Sequence, residues 1–454
     1  MIKSNNGELK RVIGVSGLAF TIVNFVVGAG IFALPAIVGN QLGNFAMFGY
    51  LVCGLLMAAI MLCYAEIGSK ITAAGGNYAY VKAAFGEFPA YLVNWLFLIG
   101  WSIFSDAALM NLFANSLAVM FPVFSGVWAR ALVFFVLFVP VIIVNILGAR
   151  EGVMMVTLIT ILKLLPLFGI IALGFTHINK GQFHWEHFPG MGTFGGSILA
   201  LFFAFCGFES ALNISGELKN PSRTVPLGIM FGGLFVVVFY LLLQFVTQGV
   251  LGPDMASAKD APLAAVAEKL MGSAGGKILL ITTAISCVGT VFADILTAPR
   301  LLYAGARDGL FPSIFGKTHP KYATPYWAII TYAGLIFIIA VSGEFEQLMI
   351  LATAAILLIY LSVVLATVKL RRQNKTGAGK TFRMPGGMIF PVIAIVTIGW
   401  LLSQLKKADI LSTIVFIAIV CVVYFLSKKI GKTGPAMEKP VQAGSILDKQ
   451  QDPL

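Results

Sequence analysis

The chain has 454 residues, of which 59% are hydrophobic and only 11% charged, and its mean hydropathy is +0.93. Soluble domains carry roughly 25% charged residues, so most of this chain faces lipid or other apolar helices, and a soluble-domain count from length does not apply. The net charge of +12 does not indicate nucleic-acid binding, because the basic residues sit between apolar stretches rather than on one face.

In chain order the pattern gives about twelve spans, each long enough to cross ~30 Å of hydrocarbon. Their approximate limits are 12–39, 43–69, 89–120, 128–148, 153–175, 193–216, 226–251, 276–303, 325–342, 347–369, 388–404 and 410–427. The expected fold is therefore an all-α polytopic membrane protein. Turn chemistry separates the spans, as at Gly86 with Pro89, Asn220-Pro221, Gly252-Pro253 and Pro320 with Pro325. The loop over 252–275 contains a short helix-like stretch at Leu263–Leu270, and the tail beyond Lys432 is polar and reads as disordered. The first span is too long for a signal-peptide core and reads as retained.

The first span is broken in its middle by Gly28-Ala29-Gly30. Each glycine weakens a helix by roughly 1 kcal/mol relative to alanine. In hydrocarbon an unpaired backbone group costs several kcal/mol, so such a break survives only where it lines a cavity or is buried in protein. A second break falls in span 6, at Gly207 within Phe203–Glu209. Paired interruptions in corresponding halves mark a transporter's substrate site, and a five-plus-five internal repeat places spans 1 and 6 in corresponding positions.

Orientation follows from charge. With the N-terminus cytoplasmic, 23 of the 31 Lys and Arg residues fall in inner loops and tails, 7 fall outside and Lys163 lies within a span. That asymmetry puts both termini in the cytoplasm of a cell membrane. The resulting division is an N-terminal tail over 1–11, a transport core over 12–370, a basic loop over 371–387, two further helices over 388–427 and a C-terminal tail over 428–454.

Charges inside spans are rare and usually functional. Five stand out: Glu66, Asp106, Lys163, Glu209 and Asp294. Glu209 directly follows the second break, either as a proton-cycling acid or as a structural acceptor for backbone N–H groups where the helix restarts. Lys163 lies mid-span, where an ammonium needs carbonyl or carboxylate partners. Asp294 pairs with a cationic substrate group, carries a proton, caps a distorted helix or packs against neighbouring hydroxyls, and Asp106 near Trp101 is the weaker candidate of the two. Glu66 reads as an i,i+4 ion pair with Lys70. Phe203 and Phe292 flank these groups, and Phe203 adjoins the break.

Catalytic and cofactor motifs are missing. Gly28-Ala29-Gly30 has no third glycine and no preceding strand, so it is no dinucleotide fingerprint. The loop cluster His184-Trp185-Glu186-His187 has metal-like residue types but no second half. The five cysteines have no ligand spacing. No metal, cofactor or obligate protein partner is expected. A channel would show a ring of like residues, a nutrient sensor would more readily carry a soluble output domain, and an intramembrane enzyme needs a paired catalytic set.

Three blocks, Val27–Phe32 with Pro35, Gly207–Glu209 leading to Lys219–Pro226, and Pro299–Ala304 with Ala306–Pro312, occur in order across roughly residues 10–370. Together they resemble the amino acid–polyamine–organocation permeases. The resemblance implies ten core helices in two inverted repeats of five, plus two more, and an amino acid moved by alternating access through proton symport or exchange. It implies a substrate carboxylate at the N–H groups of Gly28, Ala29 and Gly30. The amino group then meets carbonyls from Val26 or Val27 and from the second break near Phe203, Cys206 and Gly207. Phe203 stands where the family places an aromatic gate, Glu209 matches an acid linked to proton sensing, and Lys163 stands where sodium-coupled relatives bind the ion. Phe292 and Asp294 depart from the family pattern. An acid near the side-chain pocket suits a cationic amino acid or polyamine, and a small neutral amino acid fits if Asp294 points away.

Overall fold

The computed structural model describes residues 11–431 except 12, 29, 73–74, 148, 184–187, 256, 259–260, 308–310, 323 and 374–380. Both outermost tails, Ala29 and the His184–His187 cluster therefore lie outside the described residues.

The elements follow the apolar pattern. Span 1 is two half-helices, α1 (Val15–Val26) and α2 (Gly30–Leu42). Span 2 is α3 (Ala46–Lys70), followed by a short helix, α4 (Gly76–Phe85), not expected from sequence. Span 3 runs through α5 (Glu87–Trp95), a π-helical stretch (Leu96–Ile103) and α6 (Phe104–Met120). Spans 4 and 5 are α7 (Val127–Leu147) and α8 (Ala149–Gly174). Span 6 is α9 (Met191–Phe205) continued by a 3-10 helix (Ser210–Glu217), and span 7 is α10 (Pro221–Leu251). The segment α11 (Pro262–Thr297) turns sharply at Gly272, whose φ is +71°, so a surface helix precedes span 8. After α12 (Pro299–Arg307), spans 9 to 12 are α13 (Tyr326–Ser342), α14 (Phe345–Arg372), α15 (Ile389–Ser403) and α16 (Lys407–Gly431). Among the described residues, nine segments are long and apolar enough to cross a membrane, and three shorter apolar helices, α1, α13 and α15, join them.

The packing carries the symmetry. Helix α3 packs on α10, α6 on α11 and α7 on α13, pairing spans 2 with 7, 3 with 8 and 4 with 9. Helix α1 packs on α10 as α9 packs on α3, and α8 packs on α11 as α14 packs on α6. Exchanging every span with the one five places along leaves this set of pairs unchanged. Two five-span repeats therefore clasp each other. Spans 11 and 12 stay outside: α15 lies on α14 and α3, and α16 lies on α14 and α5.

Lipid explains the surface. Trp128, Leu132 and Phe135 of α7 and Leu411, Ile419 and Phe425 of α16 are exposed, an apolar surface of a kind that soluble monomers rarely display. Span 3 sits at the opposite extreme, with nearly every residue from Ala107 to Ala114 buried.

On the face where α1 begins, Glu66 does more than its helical spacing implies. It pairs with Lys70 at 2.8 Å and with Arg371 at 3.5 Å, and it accepts the Met384 N–H at 3.1 Å. The buried carboxylate thereby fastens spans 2 and 10 to the loop before α15. Nearby, Asn220 adopts φ +44° and Pro221 opens α10, so the Lys219-Asn220-Pro221 block is a helix start. The Lys219 N–H donates to the Ile13 carbonyl at 2.8 Å, tying the approach to span 1 to the end of span 6.

Candidate functional site

Both breaks are present, and they touch. At the end of α1, Val27 has φ −74° and ψ +63°, and the Gly28 N–H donates to the Val26 carbonyl at 2.7 Å. That is an inverse γ-turn, which lets the chain leave one helix and start the next. In span 6, α9 stops at Phe205, Cys206 is extended, and Gly207 sits at φ +111°. A Cβ on Gly207 would stand 2.9 Å from the Phe25 carbonyl oxygen, so glycine is required for conformation and for backbone-to-backbone approach. Gly30 meets the other half of span 6: its Cβ position lies 3.3 Å from Ala204 Cα and 3.3 Å from the Phe203 ring.

Three helix ends converge as a result. The N-terminus of α2 presents N–H groups of its first turn that have no partner within the helix, while the last turns of α1 and α9 carry carbonyls that no N–H of their own helix takes. The peptide dipoles add positive potential at the first and negative at the others. A zwitterion with a carboxylate and an ammonium on one carbon matches that arrangement. Of the donors expected from sequence, Gly28 N–H is taken by the γ-turn and Ala29 lies outside the described residues, which leaves Gly30; across the cavity, the Gly207 N–H donates to Glu209 Oε2 at 3.1 Å.

Side chains from the scaffold stitch the breaks. Tyr240 on α10 directs its hydroxyl at both, 2.7 Å from the Val26 carbonyl and 3.0 Å from the Ala204 carbonyl. The Lys163 ammonium of α8, 1% exposed, donates to the Asn24 carbonyl in the last turn of α1 at 2.8 Å. Thr160, one turn away, donates to Asn24 Oδ1 at 2.5 Å. No ion pair among the described residues involves Lys163, so its charge rests on carbonyl dipoles. Glu209 Oε2 also accepts from the Tyr360 hydroxyl of α14 at 2.7 Å, while Oε1 is buried without a partner.

The breaks open onto a small cavity of about 40 Å³, room for only a few water molecules in this conformation. Val26, Gly28, Gly30, Phe203, Cys206, Gly207 and Asp294 line it, joined by Trp101, Ser105, Leu109, Ser210 and Thr290. Val27 is buried beside the turn and Phe292 is buried in the bundle; neither is among the lining residues. The helix explains Phe292: residues two places apart point about 200° apart, so a helix that aims Thr290 and Asp294 inward turns Phe292 away. Phe203 stacks edge-on against Trp101 at 5.8 Å and Phe345 at 6.3 Å. Phe345 lines a wider, more polar recess with Asn111, Asn115, Arg130 and Glu344. The Phe203 ring thus stands between the cavity and the face opposite the start of α1. Elsewhere in the bundle, Tyr332 of α13 donates to Oδ2 of the buried Asp106 at 2.9 Å.

Tyr240, Tyr332, Tyr360 and Thr290 were not singled out by the sequence. Hydroxyls in long apolar helices carry no local signal; their roles come from partners more than 30 residues distant.

Comparison with known proteins agrees with this architecture. The family model described as amino acid permease matches residues 13–437. The chain is 29% identical to the serine/threonine exchanger SteT of Bacillus subtilis, covering 91% of this chain and 94% of that one. It is 26% identical to the branched-chain amino acid permease BcaP of the same organism, over 94% and 95% of the two chains. It is 28% identical to the b(0,+)-type amino acid transporter 1 of Mus musculus, over 92% and 87%. The chain belongs to the amino acid permease family and is a polytopic membrane protein of that fold.

Proposed function

We propose that the protein is a sodium-independent secondary carrier of amino acids that works by alternating access, through proton coupling or amino acid exchange. The observation that carries the reading is the meeting of the two broken spans. Positive and negative helix ends face one cavity deep in the bundle, and a ring, Phe203, stands on one side of it. Sodium independence rests on Lys163, whose ammonium reaches the carbonyl end of α1 at 2.8 Å. A fixed cation there opposes a second one by like-charge repulsion. We assign the face carrying the N-terminus to the cytoplasm on the asymmetry of the basic residues. The half-helices α1, α2 and span 6 then move against a scaffold that includes spans 3, 8 and 9, with the Gly28 and Gly207 turns as hinges.

The test is uptake by purified protein in liposomes. Labelled amino acid should accumulate under an imposed pH gradient or against an internal amino acid, with no requirement for sodium. No uptake across neutral, acidic and basic amino acids would defeat the reading. Single-channel currents, or binding without transport, would favour a channel or a sensor on the same scaffold.

A further inference from the structure

Room for an amino acid lies further out than the breaks. The cavity between them, at about 40 Å³, is too small for any amino acid in this conformation. Beyond the contact of Phe203 with Phe345, the recess that Phe345 lines has about 660 Å³, within the size range of small-ligand sites. Its walls come from the outer part of α6, the start of α7, the end of α13 and the start of α14, with Ala33 and Ile37 of α2 between them.

This recess has a positive and a negative side. Arg130 stands near the start of α7, where the helix also leaves N–H groups without partners of its own. The Arg130 Nε donates to the Phe124 carbonyl at 3.2 Å, which steadies the guanidinium, and no ion pair among the described residues engages it. Opposite, Ala340, Val341 and Ser342 bring the carbonyl end of α13 to the wall. Glu344 follows at the N-cap of α14, and its side chain makes no bond to that helix; Glu346 lines the recess as well. Asn111 donates through Nδ2 to the Ala107 and Ala340 carbonyls at 3.1 and 3.0 Å, which leaves its Oδ1 as an acceptor. The two sides face each other because α7 and α13 run antiparallel. Thr324 donates to the Ile146 carbonyl at 2.7 Å, and Phe138 meets Phe337 at 6.4 Å. Following both helices outward from the phenylalanines at about 1.5 Å per residue brings Arg130 level with the Ser342–Glu344 turn. Packed helices lie about 8–10 Å apart, so a guanidinium and a carboxylate reaching in from either side leave a gap that one zwitterion spans.

We propose that this recess is a second amino acid site, separate from the one at the breaks. Arg130 takes the α-carboxylate. Glu344, Asn111 Oδ1 and the last carbonyls of α13 take the α-ammonium, and the side chain lies toward Ala33, Ile37 and Leu112. An amino acid lodges here while the breaks are closed, outside the Phe203 and Phe345 rings, and passes inward when those rings part. Its role as a loading site rests on the carrier reading; its capacity to bind does not.

Equilibrium binding of labelled amino acids to the purified protein tests it, with L-leucine, L-serine and L-arginine as probes. The probe that binds should saturate at about two per chain, and Arg130→Met and Glu344→Gln should each leave about one per chain. The retained site reports that the variant is folded. In proteoliposomes of one orientation, both variants should raise KM for uptake entering from the recess face by about tenfold or more, and KM from the other face should stay within about threefold. A purely structural role would move both faces together. Saturation at one per chain in the unaltered protein, two per chain kept in both variants, or equal KM shifts on the two faces would overturn the inference while leaving the carrier intact. Two per chain without transport would keep the recess site and sink the carrier reading. Failure of every common amino acid to bind would sink both. Should neither variant fold, the stoichiometry of the unaltered protein decides alone.

Discussion

Replacing Gly207 with alanine tests the contact between the two breaks. Gly207 has φ +111°, and its Cβ would stand 2.9 Å from the Phe25 carbonyl oxygen and 3.2 Å from that carbonyl carbon. Holding a non-glycine residue there costs on the order of 1–3 kcal/mol. The neighbour is backbone, so it cannot rotate away, and relieving the overlap costs about 1–3 kcal/mol more. Alanine restricts the unfolded chain and returns roughly 0.4–1 kcal/mol. The net is about 3 kcal/mol, roughly a 150-fold change in an equilibrium constant. Thermal unfolding in detergent and uptake in liposomes would both report it, the first as a drop of roughly 5 °C or more, the second as a loss of transport at any substrate concentration. Gly334→Ala is the matched control: Gly334 lies within α13 with nothing within 4 Å of its Cβ position, so alanine there should be neutral or stabilising by up to about 1 kcal/mol. If Gly207→Ala melts and transports like Gly334→Ala, the two breaks do not depend on each other as described.

Other perturbations separate the stitching residues. Tyr240→Phe removes a hydroxyl shared by two buried carbonyls, at a cost of about 1–3 kcal/mol; substrate affinity should weaken in binding assays, and an unchanged affinity would show that the breaks hold their shape unaided. Lys163→Met should reduce uptake by about tenfold or more without any rescue by sodium, whereas sodium-dependent uptake intact in that variant would remove the lysine from its assigned place. Glu209→Gln keeps an acceptor for the Gly207 N–H and for Tyr360 but removes the charge, so it should flatten the pH profile of transport while binding remains measurable. A profile identical to that of the unaltered protein would leave Glu209 as a structural acid.

Much of the architecture was written locally. Apolar runs set the spans, because hydrocarbon accepts only a backbone that satisfies itself. Gly28, Gly30 and Gly207 marked both breaks, because a helix tolerates glycine poorly unless something nearby repairs the loss. Lys163, Glu209 and Asp294 stood out because charge inside a span is costly. The short helix α4 and the π-helical stretch of span 3 gave no such signal: both form from ordinary helix-compatible residues whose turns are settled by what packs against them. Long-range pairing was equally silent. Nothing in the residues around Asp106 says that Tyr332, on another span, donates to its carboxyl. Nor could the pattern around Phe292 show that the helix turns it from the cavity while aiming Thr290 inward. Sequence decided which backbone groups and charges had to find partners in the membrane; the packing of the two repeats decided which partners they found, because only close approach of distant helices brings a hydroxyl or an ammonium to a particular atom.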